Sequence, residues 1–180
     1  TNMKRFYAPN AHVPESYLTP DFTLRPLTPD HVDLDYAALM SCKQMLRLWS
    51  GRPVDVWPSD DFTVEENMAD MKWHHSDHLE RTAFTFTVLN PAEDSVLGCV
   101  YIVPFGPLME HNPHLSDLIQ DDFGLVRFWI VEERLADDLD AHLLQALIRW
   151  FGQEWAFKQV LFHVYREHYQ QIGMLSLIHI

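Results

Sequence analysis

Residues Leu135 to Leu144 read Leu-Ala-Asp-Asp-Leu-Asp-Ala-His-Leu-Leu, between an apolar run of strand type (Val126 to Val131) and an amphipathic helical stretch. A strand that turns into a helix offers an anion site, because the first turn exposes unpaired N–H groups at the positive end of the helix dipole. Here that turn carries Asp137, Asp138 and Asp140. Three carboxylates stand where an anion would otherwise be cradled. The same residues suit a helix that caps itself. Asp137 is a good N-cap type, and each acidic group in a first turn is worth roughly 0.3–1 kcal/mol through the dipole. Glu132 and Glu133, where the strand ends, are the nearest candidate general bases.

Other chemistry is sparser. Glu66, Asp70, His74 and His78 recur every four residues, so they share one helix face. Such a column could titrate near pH 6 or hold a divalent metal, but it lacks the His-Glu-x-x-His order and a solvated face explains it, so no metal is expected. His111 and His114 fall in a long polar loop. Of six tryptophans, Trp49, Trp57 and Trp73 could wall a binding site. Trp73, Trp150 and Trp155 read as core, and Trp129 sits on a strand. There is no nucleophile elbow, phosphate loop or dinucleotide fingerprint.

These groups must be held by a recognisable series of elements. Residues 1–21 contain Pro9, Pro14 and Pro20 and show no period, which predicts an extended surface arm. Phe22 to Leu27 alternates as a strand, and Asp30 can cap the next helix. Val32 to Leu48 has roughly helical spacing. Thr63 and Glu66 form a capping box for a helix running to about His78. Ala83 to Leu89 and Val96 to Val103 alternate around the turn Asn90 to Ser95, predicting an antiparallel hairpin. A long loop, Pro104 to Asp122, leads to a strand over Phe123 to Val131. Asp137 to Phe151 is the strongest helix, with Leu139, Leu143, Leu144, Leu147, Ile148 and Phe151 on one face and Asp140 outside it. Val160 to Val164 is a strand, Glu167 to Ile172 a short helix ended by Gly173, and Leu175 to Ile180 a last strand. The order β-α-α-β-β-β-α-β-α-β predicts an α+β, mixed-sheet domain over residues 22–180.

Composition narrows the partners. The chain has 180 residues, 47% of them hydrophobic, enough for one cored domain. Its formal net charge of -13 argues against nucleic acid or an anionic membrane surface and mildly favours a cationic substrate such as an amine. Cys42 and Cys99 lie in apolar contexts and read as buried thiols, which fits a reducing, cytoplasmic setting. No secretory signal and no run approaching 18 apolar residues is visible, so no membrane span is expected.

The element order and four local signatures resemble the GCN5-related N-acetyltransferase superfamily. Leu24-Arg25-Pro26-Leu27-Thr28-Pro29-Asp30 is similar to the opening strand and first cap of many members. Leu97-Gly98-Cys99-Val100-Tyr101-Ile102 is similar to the third strand with its glycine. Val131 followed by a helix bearing Leu143-Leu144 resembles the elements that frame acetyl-coenzyme A phosphates. Tyr169-Gln170-Gln171-Ile172-Gly173-Met174 resembles the Tyr-x-x-x-Gly ending. The match spans roughly residues 22–174.

The resemblance implies a mostly antiparallel twisted sheet flanked by helices and splayed between its fourth and fifth strands. It implies direct acetyl transfer from acetyl-CoA to an amine of a small molecule or peptide. Tyr169 takes the position of the acid that protonates the leaving thiolate, and Glu132 is the candidate base. The backbone of Trp129, Ile130 and Val131 would pair with the pantetheine arm. The turn Leu135, Ala136, Asp137, Asp138, Leu139, Asp140 and Ala141 would face the pyrophosphate. Two departures stand out. Asp138 and Asp140 occupy the two glycine positions of the phosphate loop, and Leu135 its basic or amide position. Phe162, with His163 beside it, falls where members often carry Asn. Two readings therefore follow: an acetyltransferase with an atypical phosphate loop, or a non-catalytic module for ligand or protein binding. A structural protein that forms a homodimer through a sheet edge or the arm is the third.

Overall fold

The computed structural model describes residues 4–50, 56–106 and 113–163. Six strands form one sheet in the order of the chain: β1 (Tyr17–Leu18), β2 (Thr23–Pro26), β3 (Phe84–Leu89), β4 (Val96–Val103), β5 (Phe123–Ile130) and β6 (Gln159–Phe162). Neighbours are antiparallel except β5 and β6, which are parallel. The helices are α1 (Val32–Ser41), α2 (Lys43–Ser50), α3 (Val64–Glu80) and α4 (Leu139–Glu154). The α+β architecture follows the expectation, with the hairpin β3–β4 in place.

Both faces of the sheet are covered. Leu139, Leu143, Leu147 and Trp150 of α4 pack on Phe86, Val100, Val126 and Phe128. Leu39, Leu46, Trp49 and Met71 from α1–α3 pack on Leu89, Cys99, Trp129 and Val131. This explains why all six residues of β3 are buried although Thr85 and Thr87 alternate with apolar neighbours: a two-sided core buries the polar face too.

Several boundaries differ from the sequence reading. The predicted helix Val32–Leu48 is broken at Cys42, whose backbone (φ -138°, ψ 40°) leaves the helical region between α1 and α2. Asp30 caps nothing; it lies in a 3-10 turn (Pro29–His31), and α1 starts after His31. The arm runs largely along the surface but is tied into the fold. It supplies β1, and Tyr7 is buried among Phe84, Trp155 and Phe157. The Tyr7 hydroxyl donates to the His12 carbonyl (2.7 Å) and accepts from the Ala156 N–H (3.0 Å). Arg5 forks onto Asp122, and Arg81 donates to the Ala8 and Ala11 carbonyls. Trp73 is 65% exposed rather than core, whereas Trp150 and Trp155 are buried.

The capping box is present as read. The Thr63 hydroxyl accepts from the Glu66 N–H (3.1 Å) and the Glu66 carboxylate accepts from the Thr63 N–H (3.2 Å). Thr63→Ala is expected to cost about 1 kcal/mol, lowering Tm by roughly 2–4 °C; an unchanged melting curve would show that α3 is held by packing alone.

Candidate active site

The site is built where β5 runs into α4. Gly98 permits the approach of β4 to β5: a Cβ there would stand 2.1 Å from the Trp129 carbonyl oxygen. Beyond β5, a 3-10 turn (Glu132–Asp137) leads to Asp138, which has a left-handed backbone (φ 56°). Glycine takes that conformation without strain, and aspartate is among the few other residues that tolerate it. The loop geometry that calls for glycine is therefore retained with a carboxylate in place.

The three turn aspartates behave differently. Asp137 is exposed and forms an ion pair with Arg134 (2.9 Å), so it is not the helix cap. Asp138 is exposed, and its side chain makes no capping bond. Asp140, expected outside the apolar face, is only 2% exposed. Its carboxylate accepts from the Ala141 N–H (3.0 Å). Burial raises its pKa, against the lowering effect of those backbone N–H groups, and Asp138 raises it further. Arg134, adjacent to Leu135, is a cation at this turn that the motif count passed over. Leu135 is half-buried on the α4 side of the sheet, Leu139 is buried there and Ala136 is exposed.

Backbone polarity sorts the strand residues. The Val131 N–H donates to the Leu97 carbonyl (2.8 Å), and Trp129 is in register with Cys99. In an antiparallel ladder, alternate residues direct their N–H and C=O to opposite edges. Trp129 and Val131 thus face β4, and of the three expected pantetheine contacts Ile130 is the one aimed at the β6 edge. The described β5–β6 ladder runs from Phe123↔Gln159 to Val126↔Phe162, and Arg127–Ile130 continue past it. His163 extends the ladder by donating its N–H to the Val126 carbonyl (2.9 Å), and burial lowers the His163 pKa.

On the α1–α3 side of the sheet an aromatic patch lies over the middle of β5. The Arg127 guanidinium sits 4.2 Å from the centre of the Trp49 ring. Trp49 and His74 both pack on Tyr101, with centroids 5.7 and 5.6 Å apart. The Tyr101 hydroxyl accepts from the Trp129 indole N–H (3.2 Å). Burial pushes the Tyr101 phenol well above its ordinary pKa. Trp129 is thus buried beneath Tyr101 rather than lining an open groove.

Glu132 is exposed in the turn just past β5, with Glu133 beside it. Of the α3 column, Glu66 is spent on the cap, His74 reaches Tyr101, and His78 packs on Phe84 and Phe86. Among the described residues no three His, Cys, Asp or Glu side chains are placed to hold a metal ion. No described helix is long and apolar enough to cross a membrane. Tyr169, Gly173 and the final strand lie outside the described residues, as does His111.

No family model matches the sequence, and no curated protein matches it. Solved structures match the fold. RimL, a ribosomal alpha-N-protein acetyltransferase in complex with coenzyme A, is 13% identical at a TM-score of 0.69, over 91% of this chain and 82% of that one. The chain has the GCN5-related N-acetyltransferase fold. The ribosomal-protein-S5-alanine acetyltransferase of Vibrio fischeri is 15% identical at 0.68, over 91% and 81%. MccE, a microcin self-immunity acetyltransferase in complex with acetyl-CoA and AMP, is 9% identical at 0.66, over 88% and 77%. In this acetyltransferase fold the aspartate turn stands at the entry of α4 and the aromatic patch beside mid-β5.

Proposed function

We propose that the chain transfers an acetyl group from acetyl-CoA to an amine of a small molecule or peptide. The observation that carries this is the parallel β5–β6 pair, with Ile130 of β5 directing its backbone to the β6 edge just before the chain enters α4. Coenzyme A and acetyl-CoA complexes of the same fold support the choice of donor.

The backbone of Ile130 would pair with the pantetheine arm, and the turn from Leu135 to Ala141 would face the pyrophosphate. That turn fits the donor only in part. Its backbone has the required left-handed bend at Asp138, but Asp140 already holds the Ala141 N–H and Arg134 already holds Asp137. Tyr169 is the proposed acid for the departing thiolate, from its place in the sequence motif. An ordinary phenol has a pKa of about 10, close enough to a thiol's for that proton transfer. Glu132, at the exit of β5, is the candidate base read from its place in the sequence.

The carboxylates at Asp138 and Asp140 favour one alternative, a non-catalytic module with the same fold. A thermal-shift titration with acetyl-CoA separates the two. Ligand binding to the folded state raises Tm by mass action. A saturable rise of several degrees is expected; no shift at millimolar acetyl-CoA would favour the module. Tyr169→Phe should then keep the shift and lose turnover, and full turnover would remove the acid role.

A further inference from the structure

Polar groups line α3 from the buried Asn67 to the half-buried His74 at the aromatic patch. Asn67 donates from its side-chain amide to the Asp35 carboxylate (2.9 Å) inside the α1–α3 packing. Asp70 and His74 follow along α3, one helical turn apart and each half-buried. His74 is half-buried and sits between the Trp73 ring (5.8 Å) and the Tyr101 ring (5.6 Å). Among the described residues no hydrogen bond holds either His74 ring nitrogen, and neither is sealed from solvent. Tyr101 pairs across the sheet with Arg127, the residue after the last rung of the described β5–β6 ladder.

This placement matters because an amine arrives protonated and must lose a proton before it can attack. The pantetheine arm is long, so with the phosphates at the α4 turn it would carry the thioester several residues back along β5, toward Arg127 and Tyr101. Glu132 lies five residues further on, past the end of β5 in the 3-10 turn. Resting on the acetyl-transfer reading, we propose that His74 is the catalytic base, taking the acceptor's ammonium proton. The neutral nitrogen then attacks the thioester carbonyl carbon. The carbon–sulfur bond breaks with its electron pair on sulfur, and the second proton lost by the nitrogen ends on that sulfur. One proton stays on His74 until solvent removes it.

The groups facing His74 are consistent with this role. Burial lowers its pKa, so the ring is neutral at pH 7; Asp70 and Asp77 of α3 oppose that lowering without overcoming it. From the sheet it meets the Tyr101 phenol, which burial keeps protonated, and Arg127 stands across from Tyr101. A neutral imidazole is the form that accepts a proton.

The test is the pH dependence of coenzyme A release from acetyl-CoA, with spermidine and an alanine-starting hexapeptide as probe amines. The wild-type kcat/KM should fall on the acid side of the ordinary imidazole range as His74 protonates. His74→Gln should lose about a hundredfold in kcat/KM, lose that acidic limb, and keep its acetyl-CoA thermal shift. Asp70→Asn should move the limb to lower pH without abolishing turnover. A His74→Gln variant that folds and keeps both rate and limb overturns the assignment and leaves acetyl transfer standing. A thermal shift with no turnover of either amine overturns acetyl transfer to such amines, and the assignment with it. Should His74→Gln fail to fold, His74→Asn gives the same readings.

Discussion

Asp35→Asn is expected to remove the Asp35 contribution to the pH dependence of stability between about pH 4 and pH 6 and to raise stability at pH 8 by about 2 kcal/mol. Asp35 is 5% exposed, on α1 against α3. Burial raises its pKa from an ordinary 3.8 to about 6, overcoming the lowering effect of the Asn67 amide, and nearby Asp70 raises it further. A carboxyl group that holds its proton more tightly when folded stabilises the fold only while protonated. The stability is therefore fully present below pH 3.8, declines as pH rises to about 6, and is level above that. Each tenfold change in proton affinity is worth about 1.4 kcal/mol, so ionising Asp35 in place costs about 3 kcal/mol. An asparagine keeps an oxygen for the Asn67 amide and carries no charge. Its new NH2 group needs a partner, which is why the net gain falls short of the full figure. Urea titrations of both proteins from pH 4 to pH 8 measure this. Asp60, Glu93 and Asp122 have lowered pKa values from their Lys and Arg partners and lose stability as pH falls, but they are common to both proteins and cancel in the difference. Parallel pH profiles for the two proteins would show that Asp35 does not titrate in this range.

The buried carboxylate and the break beside it show which parts of the structure the sequence announces. Signals confined to one element were legible. The Thr63–Glu66 cap spans four residues, and the β3–β4 hairpin closes over one turn, so their partners are written side by side. Tyr7 had no such signal because its partners are Ala156 and Trp155, far along the chain. The kink at Cys42 has no Pro or Gly to mark it, and apolar spacing continues across it. Asp140 was placed outside the apolar stripe by periodicity, yet the first turn of α4 is buried as it leaves the sheet. At the site, the motif located the turn but not the backbone edges. Residue identity says nothing about whether Trp129 or Ile130 faces β6; strand register does. The His74–Tyr101 contact joins a helix column and a strand residue that only the packing of α3 on β4 brings together.

The Asp138→Gly, Asp140→Gly double variant should bind acetyl-CoA at least tenfold more tightly than the wild type. Two unit charges a few Å apart at an effective dielectric of about 20 repel by roughly 2–4 kcal/mol, and about 1.4 kcal/mol is a factor of ten in Kd. A diphosphate at the α4 turn meets both carboxylates. Replacing Asp140 also releases the Ala141 N–H it now holds, returning a donor to the anion. At residue 138 glycine accepts the φ of 56° without strain, so the turn should keep its shape. Proton linkage supplies a second signature. Burial already raises the Asp140 pKa, and a neighbouring diphosphate would raise it again. Binding to the wild type should then take up a proton and tighten as pH falls through the Asp140 range, whereas the double variant should lose that dependence. Calorimetric titration in two buffers of different ionisation enthalpy reads affinity and proton uptake together. Equal affinities, with no uptake in either protein, would mean that the aspartates point away from the donor and that the backbone alone decides how the turn treats an anion.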